Sequence, residues 1–376
     1  MVRRGGGFTQ LVNLVPAILA QAPETQFLLL ARGESVASAL PNAPNLELAV
    51  LPEARPLQRI LFSVGQASSF ARRFEADLYY SVSETAGMGL PCPVVVSFRN
   101  PNVFTSLDQR WGPYQASRLM TLRRSAIHSA RRASRVIFVS HDSAKWIGDS
   151  VDLDESKRVV IRHGVDPSRW QPPSGKPSSG AGILFVSSVY RYKNFVRLIE
   201  AWRRVAAKRP DPPELTLLGD VVDRRHARDI DRARAKCGRL ASKIHITGAV
   251  NYEKTADYYH KASLFVFPSY LETFGHPLLE AMASGVPVAA SETAVSREVA
   301  GDAAIYFDPF DVDSASLAIE RALDDPALRD SLIAAGHRRV KEFTWEDTAR
   351  QTLRLFAEIL GVPEDATVLM NAPGAH

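Results

Sequence analysis

The chain has 376 residues, 45% of them hydrophobic, which is enough for two globular domains of ordinary size. Its 46 basic and 41 acidic residues leave a net charge of +5, too modest for bulk electrostatics to demand a nucleic-acid partner. Cys92 and Cys237 are too few and too far apart for a disulfide framework or a zinc site, and no apolar run approaches the ~18–20 residues of a membrane span.

The chain opens on Arg3 and Arg4, a Gly5-Gly6-Gly7 triplet and "LVNLVPAILAQA". A signal peptide would show a longer apolar run. Asn13 and Pro16 interrupt this one, so the segment reads as a helix behind a glycine loop. In a doubly wound fold such a loop follows a first strand, yet no apolar run precedes it here. A first parallel strand is therefore expected to be absent from the chain as numbered.

Continuous apolar runs then recur, as in buried parallel strands: "QFLLLA" (26–31), "DLYYSV" (77–82), "PVVVSF" (93–98), "RVIFVS" (135–140) and "KRVVIR" (157–162). Between them, 114–135 reads as an amphipathic helix. Leu119, Leu122, Ala126, Ala130 and Ala133 share one face, with Arg118, Arg124, Arg131, Arg132 and Arg135 largely opposite. From Arg99 to Arg135 eight arginines face one acid, Asp108, so the helix is either a solvated face or a contact for an anionic membrane or a lipid-linked acceptor. "QPPSGKPSSGAG" (171–182) reads as a linker. Beyond it come "ILFVSS", "LTLLG", "KIHITG", "LFVFPS" and "VPVAAS", alternating with helical segments at 194–207, 253–262 and 277–284. The rhythm predicts two successive doubly wound α/β domains.

Chemistry concentrates in "PSYLETFGHPLLEAMASGVPVAAS" (268–291). Pro277 suits a first helical position and Gly285 a helix stop. The amides around Phe274, Gly275 and His276 then form an anion site at a strand's C-terminal edge. Glu272 and Glu280 on either side cannot bind phosphate, so they are read as acceptors for hydroxyls, a sugar's at one end of a diphosphate and a ribose's at the other. "SSVYRYKN" (187–194) supplies cations in Arg191 and Lys193, with Asn194 as the N-cap of the next helix. "DVD" (311–313) imitates a metal-binding Asp-x-Asp, but Asp313 reads as a helix N-cap. His141 and His163 each follow a strand and read as loop histidines.

The motif P-S-x-x-E-x-F-G-x-P-x-x-E-A-M-x-x-G-x-P-V resembles the donor-site signature of the family 4 retaining glycosyltransferases. "SRVIFVSHDSAKWI", "KRVVIRHGVDPSRW", "FVSSVYRYKNFVRLIEAW", "EVAGDAAIYFDP" and "FTWEDTARQTLRLF" fall in that family's order. The resemblance implies the α/β GT-B fold, two doubly wound Rossmann-like domains facing a central cleft. It implies an acceptor-binding domain at 1–170, the linker at 171–182 and a nucleotide-sugar-binding domain at 183–345. A helix at 346–362 would pack back on the first domain, and 363–376 would form a disordered tail. Carried over, Glu280 grips the ribose, Glu272 faces the transferred sugar, and Lys193 with Arg191 neutralises the diphosphate. Thr273, Phe274 and Gly275 hold the donor, and Gly6 and Gly7 face it from the glycine loop. Arg99 and Asn100 stand on the acceptor side, where many relatives carry a His.

The implied activity is metal-independent, cofactor-free transfer of a hexose, of mannose or glucose type, from a nucleotide diphosphate sugar to a saccharide or lipid-linked acceptor. Its setting is the cytoplasm, with peripheral contact at an anionic membrane, in polysaccharide or glycolipid assembly. A nucleotide-sugar 2-epimerase of the same fold and a non-catalytic sugar-nucleotide-binding protein are the alternatives.

Overall fold

A computed structural model provides the structure, and it describes residues 6–32, 34–51, 65–105, 113–171 and 182–363. The chain forms two units, one made of residues 1–164 and 344–376, the other of 165–343. The second unit thus takes in Val165–Trp170, ahead of the linker read from the sequence, because the Val165 amide bonds the Phe343 carbonyl at 2.9 Å. Of that linker, residues 172–181 lie outside the described residues, as does 364–376 of the tail.

In unit 1 the chain runs through helix α1 (Gly6–Gln21), strand β1 (Phe27–Arg32), α2 (Glu34–Ala37), β2 (Leu46–Leu51) and α3 (Ala67–Arg73). It continues through β3 (Tyr79–Ser81), β4 (Val94–Phe98), α4 (Pro113–Arg132), β5 (Arg135–Phe138), α5 (His141–Ser150) and β6 (Arg158–Val160). Strands β3-β4-β5-β6 form one parallel sheet, and β1-β2 pair in parallel as another.

Alternation along the strands divides the core in two. Val96, Phe98, Val136 and Phe138 pack with Ala126 and Ala130 of α4, with Ala133 just beyond it and with Ile147 of α5. Val95 and Ile137 point the other way, onto Leu14 and Ile18 of α1 and onto Trp345, Leu353 and Phe356 of the C-terminal helix 345–360. Both faces are covered, which is why these strands read as unbroken apolar runs. Strand β2 was not expected from the sequence, where "LELAVL" carries Glu47 within an otherwise apolar run. Among the described residues no strand precedes α1, and residues 1–5, where the expected gap in the sheet would be decided, lie outside them.

Unit 2 runs through α6 (Pro167–Trp170), β7 (Gly182–Val186), α7 (Phe195–Ala207), β8 (Glu214–Leu218), α8 (Arg224–Ala235) and β9 (Ile244–Gly248). Next come α9 (Tyr252–His260), β10 (Ala262–Phe267), α10 (His276–Ala283), β11 (Val288–Ser291), α11 (Ala294–Ala300) and β12 (Ala304–Phe307). Two helices, α12 (Val312–Asp324) and α13 (Pro326–Arg339), complete it, and α14 (Trp345–Leu360) belongs to unit 1. The parallel sheet has the order β12-β11-β10-β7-β8-β9. Its chain starts at the centre on β7, moves outward to β9, and returns to β10 on the other side. In open α/β sheets this reversal is where ligands bind, beyond the C-terminal strand ends. Here it lies between β7 and β10.

Candidate donor site

The loops after β7 and β10 meet at that reversal. All six residues of β10 are buried, and the chain leaves it through Pro268 and Ser269 toward α10. Gly275 is the N-cap of α10 with φ 94°, a left-handed conformation that L side chains rarely adopt. A Cβ there would also lie 3.4 Å from the Phe267 ring. The helix begins at His276, so Pro277 sits second rather than first, and no side chain caps the Gly275 end. The first-turn amides are left to carry the positive end of the dipole. Phe274 is buried, its ring 6.0 Å from Phe343 and 5.2 Å from His276, and Thr273 is buried beside it.

The other loop ends in a 3-10 turn, Arg191–Lys193. Lys193 Nζ pairs with Glu272 Oε1 across 79 residues of sequence, with side chains 14% and 9% exposed. At this burial the pair is largely shielded from solvent. Arg191 is exposed at the start of the turn. Asn194 departs from expectation. It stands before α7 in a left-handed conformation, φ 63°, and its side chain makes no capping bond. Instead Nδ2 donates to the carbonyls of Pro268 at 3.1 Å and Pro309 at 2.7 Å. The amide thus ties the Lys193 turn to the chain leaving β10 and to that leaving β12. The Tyr270 amide adds a bond to the Tyr192 carbonyl at 3.0 Å.

Glu280 lies in the second turn of α10, 7% exposed, and accepts a hydrogen bond on Oε2 from Tyr259 Oη at 2.9 Å. Burial pushes its carboxyl up to about 7, while the Tyr259 hydroxyl and the Arg169 charge pull it down. Tyr259 and Arg169 were not anticipated from the sequence. The only signal was the position of "YYHKA" just before a fully buried strand.

Unit 1 places its expected residues differently. Gly6 and Gly7 form the first turn of α1 rather than a loop, and Gly5 lies outside the described residues. Arg99 packs its guanidinium over Gly7, 2.6 Å from where a Cβ would stand, and its Nε donates to the Val82 carbonyl at 2.7 Å. Asn100 Oδ1 accepts from the Asn102 amide at 3.1 Å, which makes it the cap of the 3-10 turn Pro101–Val103. Glu84, unsuspected from sequence, accepts the amides of Arg99 at 3.2 Å and Asn100 at 2.8 Å.

The remaining sequence candidates resolve locally. Asp311, not Asp313, caps α12 by accepting the Asp313 amide, and Asp313 pairs with Arg204. His163 is buried with its ring 5.6 Å from Trp345, whereas His141 is exposed at the start of α5.

What the second unit gathers is a helix N-terminus, one paired lysine and two buried carboxylates, an arrangement able to hold an anion between groups that accept hydroxyls. Family models agree with it. The model described as Glycosyltransferase Family 4 matches residues 4–169, and that described as Glycosyl transferases group 1 matches residues 167–339. The O-antigen chain mannosyltransferase B of Escherichia coli is 41% identical over 113 residues, 30% of each chain. The phosphatidyl-myo-inositol mannosyltransferase of Mycobacterium tuberculosis is 30% identical over 239 residues, 60% of each chain. The chain thus spans less than two thirds of these relatives' lengths. In fold it is similar to Anabaena HepE, solved with UDP-glucose, at a TM-score of 0.74 and 16% identity over 95% of this chain and 97% of that one. With its two halves matched in order from residue 4 to residue 339, the chain belongs to the group 1 glycosyltransferases of family 4, and its fold is GT-B.

Proposed function

We propose that the chain is a retaining, metal-independent hexosyltransferase that takes its sugar from a nucleotide diphosphate sugar. The observation that carries this is the meeting of Lys193, Glu272 and the Gly275 end of α10 at the sheet's reversal point, with Glu280 one turn further along. The diphosphate binds the first-turn amides of α10, and Lys193 leaves Glu272 to neutralise the charge that develops as the sugar departs. Glu272, released, accepts hydroxyls of the transferred sugar, and Glu280 accepts those of the ribose. The leaving phosphate takes the acceptor proton on the face it vacates, so configuration is retained and the protein supplies position and electrostatics. Mannosyltransferase relatives favour a GDP-mannose type of donor, and the likeness to HepE leaves UDP-glucose as the second choice.

Thermal melting with GDP-mannose and UDP-glucose, in buffer containing a chelator, is expected to show stabilisation by one of the two. Nuclear magnetic resonance of the same mixtures should then show slow release of the nucleoside diphosphate and a free or transferred hexose. An altered nucleotide sugar with no release would make the protein an epimerase. Binding with no turnover in the presence of a membrane extract would make it a binding protein.

The acceptor side is proposed to meet an anionic membrane through α4. Arg124, Arg131 and Arg132 are exposed, whereas Arg123 donates to the carbonyls of Phe104 and Ser150 and Arg135 pairs with Glu358. Fewer arginines are therefore available than the sequence suggests. At about 1 kcal/mol each near an anionic leaflet, three give reversible, salt-sensitive attachment and no insertion. No helix among the described residues is long and apolar enough to cross a membrane. Flotation with anionic vesicles at low salt should recover the protein, and changing the three arginines to Gln should abolish recovery. Equal, negligible flotation of both would leave α4 a plain solvated face.

A further inference from the structure

The carboxylate assigned to the ribose does not stand alone. Tyr259 closes α9, is fully buried, and meets Trp170 edge-on at 5.5 Å and Phe265 at 5.4 Å, so its ring is clamped by two aromatic neighbours. The next residue, His260, places Nε2 2.7 Å from the Trp170 carbonyl and thereby anchors α6, the helix that carries Arg169. From this clamp the Tyr259 hydroxyl reaches Glu280 Oε2 at 2.9 Å. An ionised carboxylate accepts about four hydrogen bonds, so this contact turns the group and still leaves lone pairs for a ligand's hydroxyls.

We propose that Tyr259 is a positioning residue of the nucleotide site: its hydroxyl, donated to Oε2, orients the Glu280 carboxylate for a ligand's hydroxyl donors. The inference rests on the reading of Glu280 as the ribose acceptor. The need for such a residue is physical. Burial drives Glu280 up to about 7, toward the protonated form, and a protonated carboxyl has lost acceptor capacity. Two groups oppose that drift, the Tyr259 hydroxyl from α9 and the Arg169 charge from α6. Two other charged groups on elements packed against α10 are paired elsewhere. Arg297 of α11 pairs with Glu292, and Arg339 of α13 pairs with Glu342. His337 of α13 is held below its usual value by burial and by Lys341, which keeps it neutral at the pH where Glu280 titrates.

The test is Tyr259→Phe, which keeps the ring and its packing and removes one hydroxyl. Isotope-edited infrared spectroscopy of Glu280 in the nucleotide-free protein, with Glu280→Gln as the blank, is expected to show the titration midpoint raised by about one pH unit. Calorimetry with UDP and GDP as probes should show affinity reduced about fivefold near pH 7, with most of it recovered at a pH about two units higher. A merely structural role would weaken binding equally at every pH and leave the midpoint in place. An unmoved midpoint in a variant that still binds UDP or GDP overturns the inference alone. A wild-type chain that binds neither nucleotide overturns the donor-site reading, and this inference falls with it.

Discussion

Replacing Lys193 by Ala should lower turnover of the nucleotide sugar by about two to three orders of magnitude, the loss typical of one donor aimed at developing negative charge. The affinity for a bare nucleoside should stay the same, because the role proposed for the lysine is on the diphosphate. The ground state complicates the reading of that variant. Lys193 pairs with Glu272 where both side chains are largely buried, and removing one member of a buried pair strands the other charge at a cost of about 3–5 kcal/mol. Activity lost through unfolding would then imitate activity lost through chemistry. The double change Lys193→Met with Glu272→Gln separates them, since it leaves no stranded charge. Its urea midpoint should return toward the wild-type value while turnover stays at the level of the single variant or below. Full activity in the Lys193→Ala protein would remove the lysine from the site.

The second large effect concerns Glu280→Gln. A charge-assisted acceptor lost from a buried ribose contact costs about 1.5–3 kcal/mol, roughly 10- to 150-fold in affinity, and calorimetry with the preferred nucleotide reads it directly. Stability should move the opposite way. The folded carboxyl binds its proton more tightly than the unfolded one, about 7 against the usual 4.5. Between these values the native state holds more protons than the unfolded state, so stability falls as pH rises. The contribution is fully present below about 4.5 and lost by about 7, amounting to about 3 kcal/mol. Urea melts at about pH 5 and pH 8 should therefore show a decline in the wild type that is much smaller in the Gln variant. At pH 8 the variant is the more stable protein and the poorer binder. A wild-type curve as flat as the variant's would show that Glu280 titrates normally.

The strands were legible in the sequence wherever both faces of a strand are covered, because a doubly packed parallel strand leaves an unbroken apolar run. β4, β5, β7 and β10 illustrate this. β2 escaped because Glu47 breaks its run, and β12 because "AIYF" is short and half-covered at its centre. In the site, the residues on one short stretch were readable because local backbone geometry places them, as with Gly275 and the start of α10. Contacts made across the sequence were not. Lys193 and Glu272 were each singled out, yet nothing in either stretch says that they bond one another. Tyr259 stayed hidden because a buried aromatic before a strand looks the same whether or not its hydroxyl meets a carboxylate. Asn194 was misread for a related reason: an Asn before a helix ordinarily caps it, and only the three-dimensional meeting of Pro268 and Pro309 draws its amide away.

That meeting bears on the order in which the molecule becomes competent. The two bonds of Asn194 span 74 and 115 residues of sequence, and contacts so distant form only after the closure entropy of the intervening chain has been overcome. The second of the two bonds beside the Lys193 turn therefore needs β12 docked as well as β10. A chain still emerging from synthesis, with β7 to β10 already folded, holds one anchor of the two. Its lysine already has Glu272 as a partner, while the Asn194 bond to Pro309 is still missing. Completion of the sheet at β12 therefore brings the second of the two bonds that Asn194 makes beside the Lys193 turn.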